Sequence, residues 1–254
     1  MKKLLIAGAA LAALIGTPAL AADMALKAPP PAVPTCDWCG WYVGIDGGGA
    51  WSRSRDVFVN ETFAGAPFFN GTFGSINPTG GFGGGEFGYN WQNGAWLLGF
   101  ETDLQGASIR DSQAATISPY LGGVSSISIA TSERLDWFGT VRARLGWVAG
   151  PVLLYATGGL AYGDVRYSVN MADSFGFSAS AVADSLRAGY AAGGGLEYKF
   201  APKWSAKVEY QYINLGRTTV SAPEFVGGVV TAFAVSNTMK FDYQTLRVGI
   251  NYHL

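Results

Sequence analysis

Residues 133–166 limit the possible folds more than any other stretch. The segment ERLDWFGTVRARLGWV runs into the short turn Ala149-Gly150-Pro151 and returns as VLLYATGGLAYGDVR. In the first arm Leu135, Trp137, Gly139, Val141, Ala143, Leu145 and Trp147 share one face, and Arg134, Asp136, Thr140, Arg142 and Arg144 share the other. That repeat has a period of two and predicts a strand. It continues for about fourteen residues where a strand usually has five or six. With aromatics at both ends of its apolar face, such a strand suits a lipid bilayer, and its charges then point into a polar lumen.

The same alternation recurs along the chain. It predicts strands over 41–51, 80–91, 95–106, 187–200, 204–216 and 240–254, which with the two arms of the hairpin make eight. Tight turns fall near 92, 149 and 201, the first carrying the Asn93-Gly94 hairpin signal. Four longer, more polar stretches, 52–79, 108–131, 168–186 and 217–239, are expected to be loops. Short turns on one side and long loops on the other predict an all-β, transmembrane, eight-stranded antiparallel up-and-down barrel with periplasmic turns and extracellular loops. The 36 glycines fit strands that crowd together in a small closed sheet.

Residues 1–21 read as a signal peptide: Met1-Lys2-Lys3, an apolar run from Leu4 to Gly16, and the small-x-small site Ala19-Leu20-Ala21. A Pro-rich linker over 22–40 leads into a barrel over 41–254. After residue 21 no apolar run reaches the roughly eighteen residues that a spanning helix needs. The net charge of −1, without a long Lys/Arg run, argues against a nucleic-acid partner.

The inward faces predict a set of lumen charges: Asp46, Glu86, Glu101, Asp103, Asp136, Glu197 and Glu209 against Arg134, Arg142, Arg144, Lys199, Lys207 and Arg247. Eight strands leave an interior wide enough only for side chains, so these charges are expected to pair as a plug. A conducting path lined by the same residues is the competing reading. Catalysis is not expected, because the one histidine, His253, falls at the end of the last strand, where a solvated position is expected. Cys36 and Cys39 have CxxC spacing, open to a redox dithiol, a metal site or a disulfide; no second pair or nearby His completes a zinc site, and an oxidising compartment favours the disulfide. Neither a metal nor a cofactor is expected. Phe63, Phe68, Phe69, Phe73, Phe225 and Phe233 could form a contact surface or pack on one another over the barrel mouth.

Several blocks in order resemble the alphaproteobacterial outer-membrane immunogenic proteins, eight-stranded barrels related to the transmembrane part of OmpA. They are Ala22-Asp23-Met24 before the Lys27–Pro31 segment, Gly40-Trp41-Tyr42-Val43-Gly44 with Trp38, Gly88-Tyr89-Asn90-Trp91-Gln92, Asp136-Trp137 through Gly146, Tyr155-Ala156-Thr157-Gly158-Gly159, and Lys207-Val208-Glu209-Tyr210. The resemblance implies a Gram-negative outer membrane, with lipid and lipopolysaccharide around the barrel and host surface molecules as candidate partners. It implies a signal for the barrel-assembly machinery in Arg247, Gly249, Tyr252 and Leu254, although Leu254 stands where a terminal phenylalanine is usual. It also implies that the mature N-terminal Ala22-Asp23 could accept a peptidoglycan stem peptide. The 22–40 segment could reach about 60 Å when extended. The function expected is envelope integrity and surface interaction, with a small porin and an adhesin as alternatives.

Overall fold

A computed structural model describes residues 36–120 and 125–254. The signal peptide, most of the linker, and Ala22 and Asp23 lie outside the described residues. All regular structure described is antiparallel β: β1 (Gly40–Trp51), β2 (Arg55–Phe63), β3 (Ala66–Ile76), β4 (Thr79–Asn93), β5 (Trp96–Tyr120), β6 (Ser125–Ala149), β7 (Val152–Asp173), β8 (Phe177–Ala201), β9 (Trp204–Val226) and β10 (Val229–His253). Eight of these close a ring in the order β1-β4-β5-β6-β7-β8-β9-β10, sealed by β1 against β10 from Tyr42↔His253 to Trp51↔Gln244.

The four expected loops require correction. Residues 52–79 form the hairpin β2–β3, and β2 extends the wall by pairing with β10 from Phe63↔Phe233 to Val59↔Asn237. Stretches 108–131, 168–186 and 217–239 mostly continue the strands on either side of short turns. Strands β5, β6, β8 and β10 each have 25 residues, whereas crossing a bilayer takes about 9–11. More than half of each strand therefore projects beyond the membrane on one side.

Two levels follow, a base and a crown, with opposite chemistry. Around the base, Ile45, Leu98, Leu104, Leu160 and Val248 face outward and are half or more exposed, while the interior is polar and charged. In the crown the apolar residues turn inward. Val57, Phe73, Ile109, Ile127, Leu135, Tyr167 and Phe241 belong to one buried cluster, and the exterior carries hydroxyl pairs such as Thr116–Ser128, Ser132–Ser168 and Thr219–Thr238. The crown is thus packed like a soluble domain set on a membrane barrel.

Irregularities in two strands carry the change of level. In β6 the ladder slips between Leu135 and Phe138. Below the slip Phe138, Thr140, Arg142 and Arg144 face in, and above it Leu135, Glu133 and Thr131 do. In β9, Gly216 sits at φ +84°, a conformation that disfavours a Cβ. Gln211, Ile213 and Leu215 face inward before it, and Thr218, Val220 and Ala222 after it. A one-residue slip is enough to turn every following side chain to the other face.

Glycines in the base make room for large interior groups. A Cβ on Gly88 would overlap the Tyr42 ring, and one on Gly195 the Tyr155 hydroxyl. Below these tyrosines the base is closed by Trp38, which is fully buried with Leu97, Leu153 and Tyr155. Its indole donates to the Gly150 carbonyl at 3.2 Å, and its amide donates to Gln92 Oε1 at 3.1 Å.

Candidate functional site

The side chains that fill the base come from strands on opposite walls. Arg142 of β6 donates to Glu101 and, at 3.0 Å, Asp103 of neighbouring β5. Its other nitrogen reaches across to Glu209 of β9 at 2.6 Å and to Thr157 of β7 at 3.1 Å. Lys207 of β9 crosses to Glu86 of β4 and lies 3.4 Å from Glu101. Arg144 pairs with Glu197 of β8, donates to the Tyr42 hydroxyl at 3.2 Å, and stacks over the Tyr155 ring at 3.7 Å. Arg247 of β10 donates to Gln211 at 2.6 Å and lies 3.5 Å from Asp103 and 3.7 Å from Asp46.

All four of these cations are at most 2% exposed. Burying a charge is costly unless it is paired and its remaining donors are engaged. Tyrosines and amides extend the engagement: Tyr42 donates to Glu101 at 2.7 Å, Tyr155 to Glu209 at 3.0 Å, Gln105 to Asp46 at 3.1 Å and Asn251 to Glu197 at 3.0 Å. The arrangement fastens facing walls to one another through the middle of the barrel.

Ten of the thirteen charges expected in the lumen meet there: Asp46, Glu86, Glu101, Asp103, Arg142, Arg144, Glu197, Lys207, Glu209 and Arg247. Three do not. Arg134, above the β6 slip, and Asp136, within it, point outward and pair with each other at 2.5 Å in an exposed position. In register with them, Arg110 and Arg166 also face outward, so charge appears on the exterior where the apolar band ends. Lys199 faces the base opening, donating to the Asp37 carbonyl and lying 5.1 Å from the Trp38 ring, with no carboxylate partner among the described ion pairs.

His253 also departs from expectation. It is buried, with Nε2 2.9 Å from Ser205 Oγ and its ring 5.6 Å from Trp38. Glu197 completes a group of serine, histidine and carboxylate. However, the carboxylate accepts from Ser205 and approaches the same Nε2 at 3.7 Å, instead of holding Nδ1 as a hydrolytic triad requires. Trp38 packs edge-on against the imidazole.

The crown holds a second buried pair that the alternation of the sequence does not reveal. Arg55 of β2 meets Glu133 at 2.9 Å, and Tyr243 donates to the same oxygen at 2.6 Å. Burial pushes the Glu133 carboxyl above its usual range, while Arg55 acts in the opposite direction. Only the slip in β6 turns Glu133 inward, and alternation alone does not reveal a slip.

At the base opening Cys36 and Cys39 are joined by a disulfide. At the other end of the chain Arg247 faces in and Leu254 faces out, Tyr252 packs edge-on against Trp204 at 5.0 Å, and Gly249 lies against Asp46 and Lys207. The Leu254 amide donates to the Trp41 carbonyl at 3.0 Å, continuing the closure between first and last strands.

A family model described as "Outer membrane protein beta-barrel domain" matches residues 7–253. The chain belongs to this family. As an outer-membrane β-barrel of Gram-negative bacteria, it is 38% identical to the 31 kDa outer-membrane immunogenic protein of Brucella melitensis, over 96% of this chain and 97% of that one. It is 28% identical to the 25 kDa outer-membrane immunogenic protein of Brucella abortus, over 99% and 98%. Among solved structures it is similar to the outer membrane protein OprG of Pseudomonas aeruginosa, with 14% identity, a TM-score of 0.45, and coverage of 85% of this chain and 98% of that one.

Proposed function

We propose that the protein is a non-enzymatic, non-conducting barrel that strengthens the outer membrane and carries its crown into the surroundings of the cell. The observation that carries this reading is the burial of Arg142, Arg144, Lys207 and Arg247, each engaged by polar groups of other strands. An ion-permeable lumen needs charged groups in contact with water, and these have almost none. The misdirected Glu197 and the packing of Trp38 edge-on against the His253 ring favour a non-hydrolytic role. Lipid and lipopolysaccharide surround the base, and the last strand, with Arg247, Gly249, Tyr252 and Leu254, is what the barrel-assembly machinery would read.

Single-channel recording in planar bilayers tests the proposal. No steady conductance is expected. A steady current abolished by larger side chains in the lumen would overturn the plug and favour a porin for ions or small solutes. An adhesive role is favoured instead if shortening the crown removes host-cell binding while leaving envelope stability unchanged.

We further propose, from Ala22-Asp23 at the head of the Pro-rich 22–40 linker, that cleavage after residue 21 would expose Ala22 for attachment to peptidoglycan. Lysozyme digestion of envelopes should then release the barrel carrying a ladder of added muropeptide mass, lost when Ala22 and Asp23 are replaced. Without the ladder, the linker is a spacer.

A further inference from the structure

At the outer end of the crown a cavity of about 100 Å³ lies beneath the tips of β2–β3, β7–β8 and β9–β10. Three acids line it, Glu61, Asp173 and Glu224, with the rings of Phe68, Phe177 and Phe233. Phe233 is the hub of the aromatic wall, 5.0 Å from Phe68 and 5.9 Å from Phe177, edge to face in both cases. Phe68 remains 48% exposed, so the wall is open to solvent at this point.

Glu224 is the unusual member. It is 2% exposed, and its Oε1 meets no hydrogen-bond donor among the described residues. Asp173 is fixed differently, its Oδ1 accepting the amides of Phe175 and Phe177 at 2.9 and 2.8 Å. Burial, followed by the nearby charges of Glu61 and Asp173, pushes the Glu224 carboxyl up to about 7. A buried acceptor without a donor, among other acids and against aromatic faces, calls for a positive charge from outside the chain.

We propose that this cavity is a binding site for an organic ammonium ion, whose charged nitrogen is held by Glu224 and whose alkyl groups lie against Phe68, Phe177 and Phe233. Shape and chemistry both narrow the ligand. At about 100 Å³ the cavity is well above the ~10–15 Å³ that a single water needs on the same measure, and it suits a compact alkylammonium head. Among the described residues no three acids, histidines or cysteines are spaced to hold a metal ion. A hydrated metal would also have to place its water against phenylalanine rings, whereas an alkylated ammonium gains from the ring faces.

Choline serves as the probe, titrated calorimetrically into the full-length mature protein in a maltoside detergent at about pH 8, where Glu224 is ionised. Saturable binding is expected for choline and not for its uncharged carbon isostere. Glu224→Gln should weaken it at least tenfold while the barrel keeps its shift on boiling in a denaturing gel. Phe233→Leu, which keeps the site apolar but removes a ring, should weaken it several-fold, and so should lowering the pH to about 5.5, which neutralises Glu224. No saturable binding at millimolar choline would overturn the proposal. Equal binding of the uncharged isostere would also overturn it, reducing the site to an apolar void. Should Glu224→Gln fail to fold, the isostere and the Phe233→Leu variant decide the same question.

Discussion

Arg142 shows what a single lumen side chain does. Its guanidinium joins carboxylates of β5 and β9 across the barrel, so replacing it with methionine leaves Glu101, Asp103 and Glu209 buried together without their shared cation. Removing one member of such a group typically costs about 3–5 kcal/mol. Arg142→Met should lower the urea midpoint of the detergent-solubilised barrel accordingly, and adding Glu101→Gln should recover part of the loss. Glu224 acts with the opposite sign. Its folded-state carboxyl titrates near 7, above an unfolded value of about 4.3, so between these values the folded chain holds more protons than the unfolded one. Its contribution to stability is complete at low pH and is lost as pH rises through about 7. Corrected for the intrinsic base-catalysed rate, crown amides should therefore be less protected at pH 8 than at pH 5, and Glu224→Gln should flatten that dependence; an unchanged protection profile would count against it. Most of the lumen residues are legible because they alternate with apolar lipid-facing neighbours, and Glu101, Asp103, Arg142, Arg144, Glu197, Lys207 and Glu209 each also lie two positions from another charge. Lys199 obeys the same rule and still falls outside the group, because its height in the barrel, which alternation does not encode, brings it to the opening.

Along whole strands, the contrast between faces decides what can be read. In β5, Trp96, Leu98 and Phe100 alternate with Glu101 and Asp103, and the base is legible for that reason. Higher up, inward Ile127 and Ile129 alternate only with Ser126, Ser128 and Ala130 in β6, and Val220 and Ala222 with Thr219 and Ser221 in β9. Small hydroxyl residues around modest apolar ones resemble polar loops, so in the sequence the ladders of the crown look like connections. The inversions at Asp136-Trp137 and Gly216 then send Arg134 and Asp136 outward and Glu133 inward. Gly216 is the more testable of the two. A valine at φ +84° costs about 1–2 kcal/mol in backbone conformation alone, and relaxing that angle threatens the inward placement of Thr218, Val220 and Ala222. Gly216→Val should make the crown sensitive to protease while the membrane-embedded base stays protected and still shifts on boiling. Uniform loss of both would show that the two levels do not unfold separately.

For the molecule as a whole, three layers are stacked along the barrel axis: the Trp38 cluster at the base opening, the ion pairs above it, and the apolar crown. The layers imply redundancy against leakage. Truncating Trp38 to alanine should cost about 3–5 kcal/mol, as for large buried aromatics, yet leave planar bilayers silent because the ion pairs still fill the next layer. Steady current from Trp38→Ala would locate the seal at the opening alone. The way the chain enters the barrel has a mechanical side as well. From Cys36 it passes through a disulfide-closed loop and the buried Trp38 directly into β1, which is bonded along its length to β10 on one side and β4 on the other. A force on the segment before Cys36 acts along β1 and loads its ten register pairs with β10 and twelve with β4 in shear, so they resist together instead of peeling apart one by one. The strand that starts the barrel is thereby also a firm point of attachment.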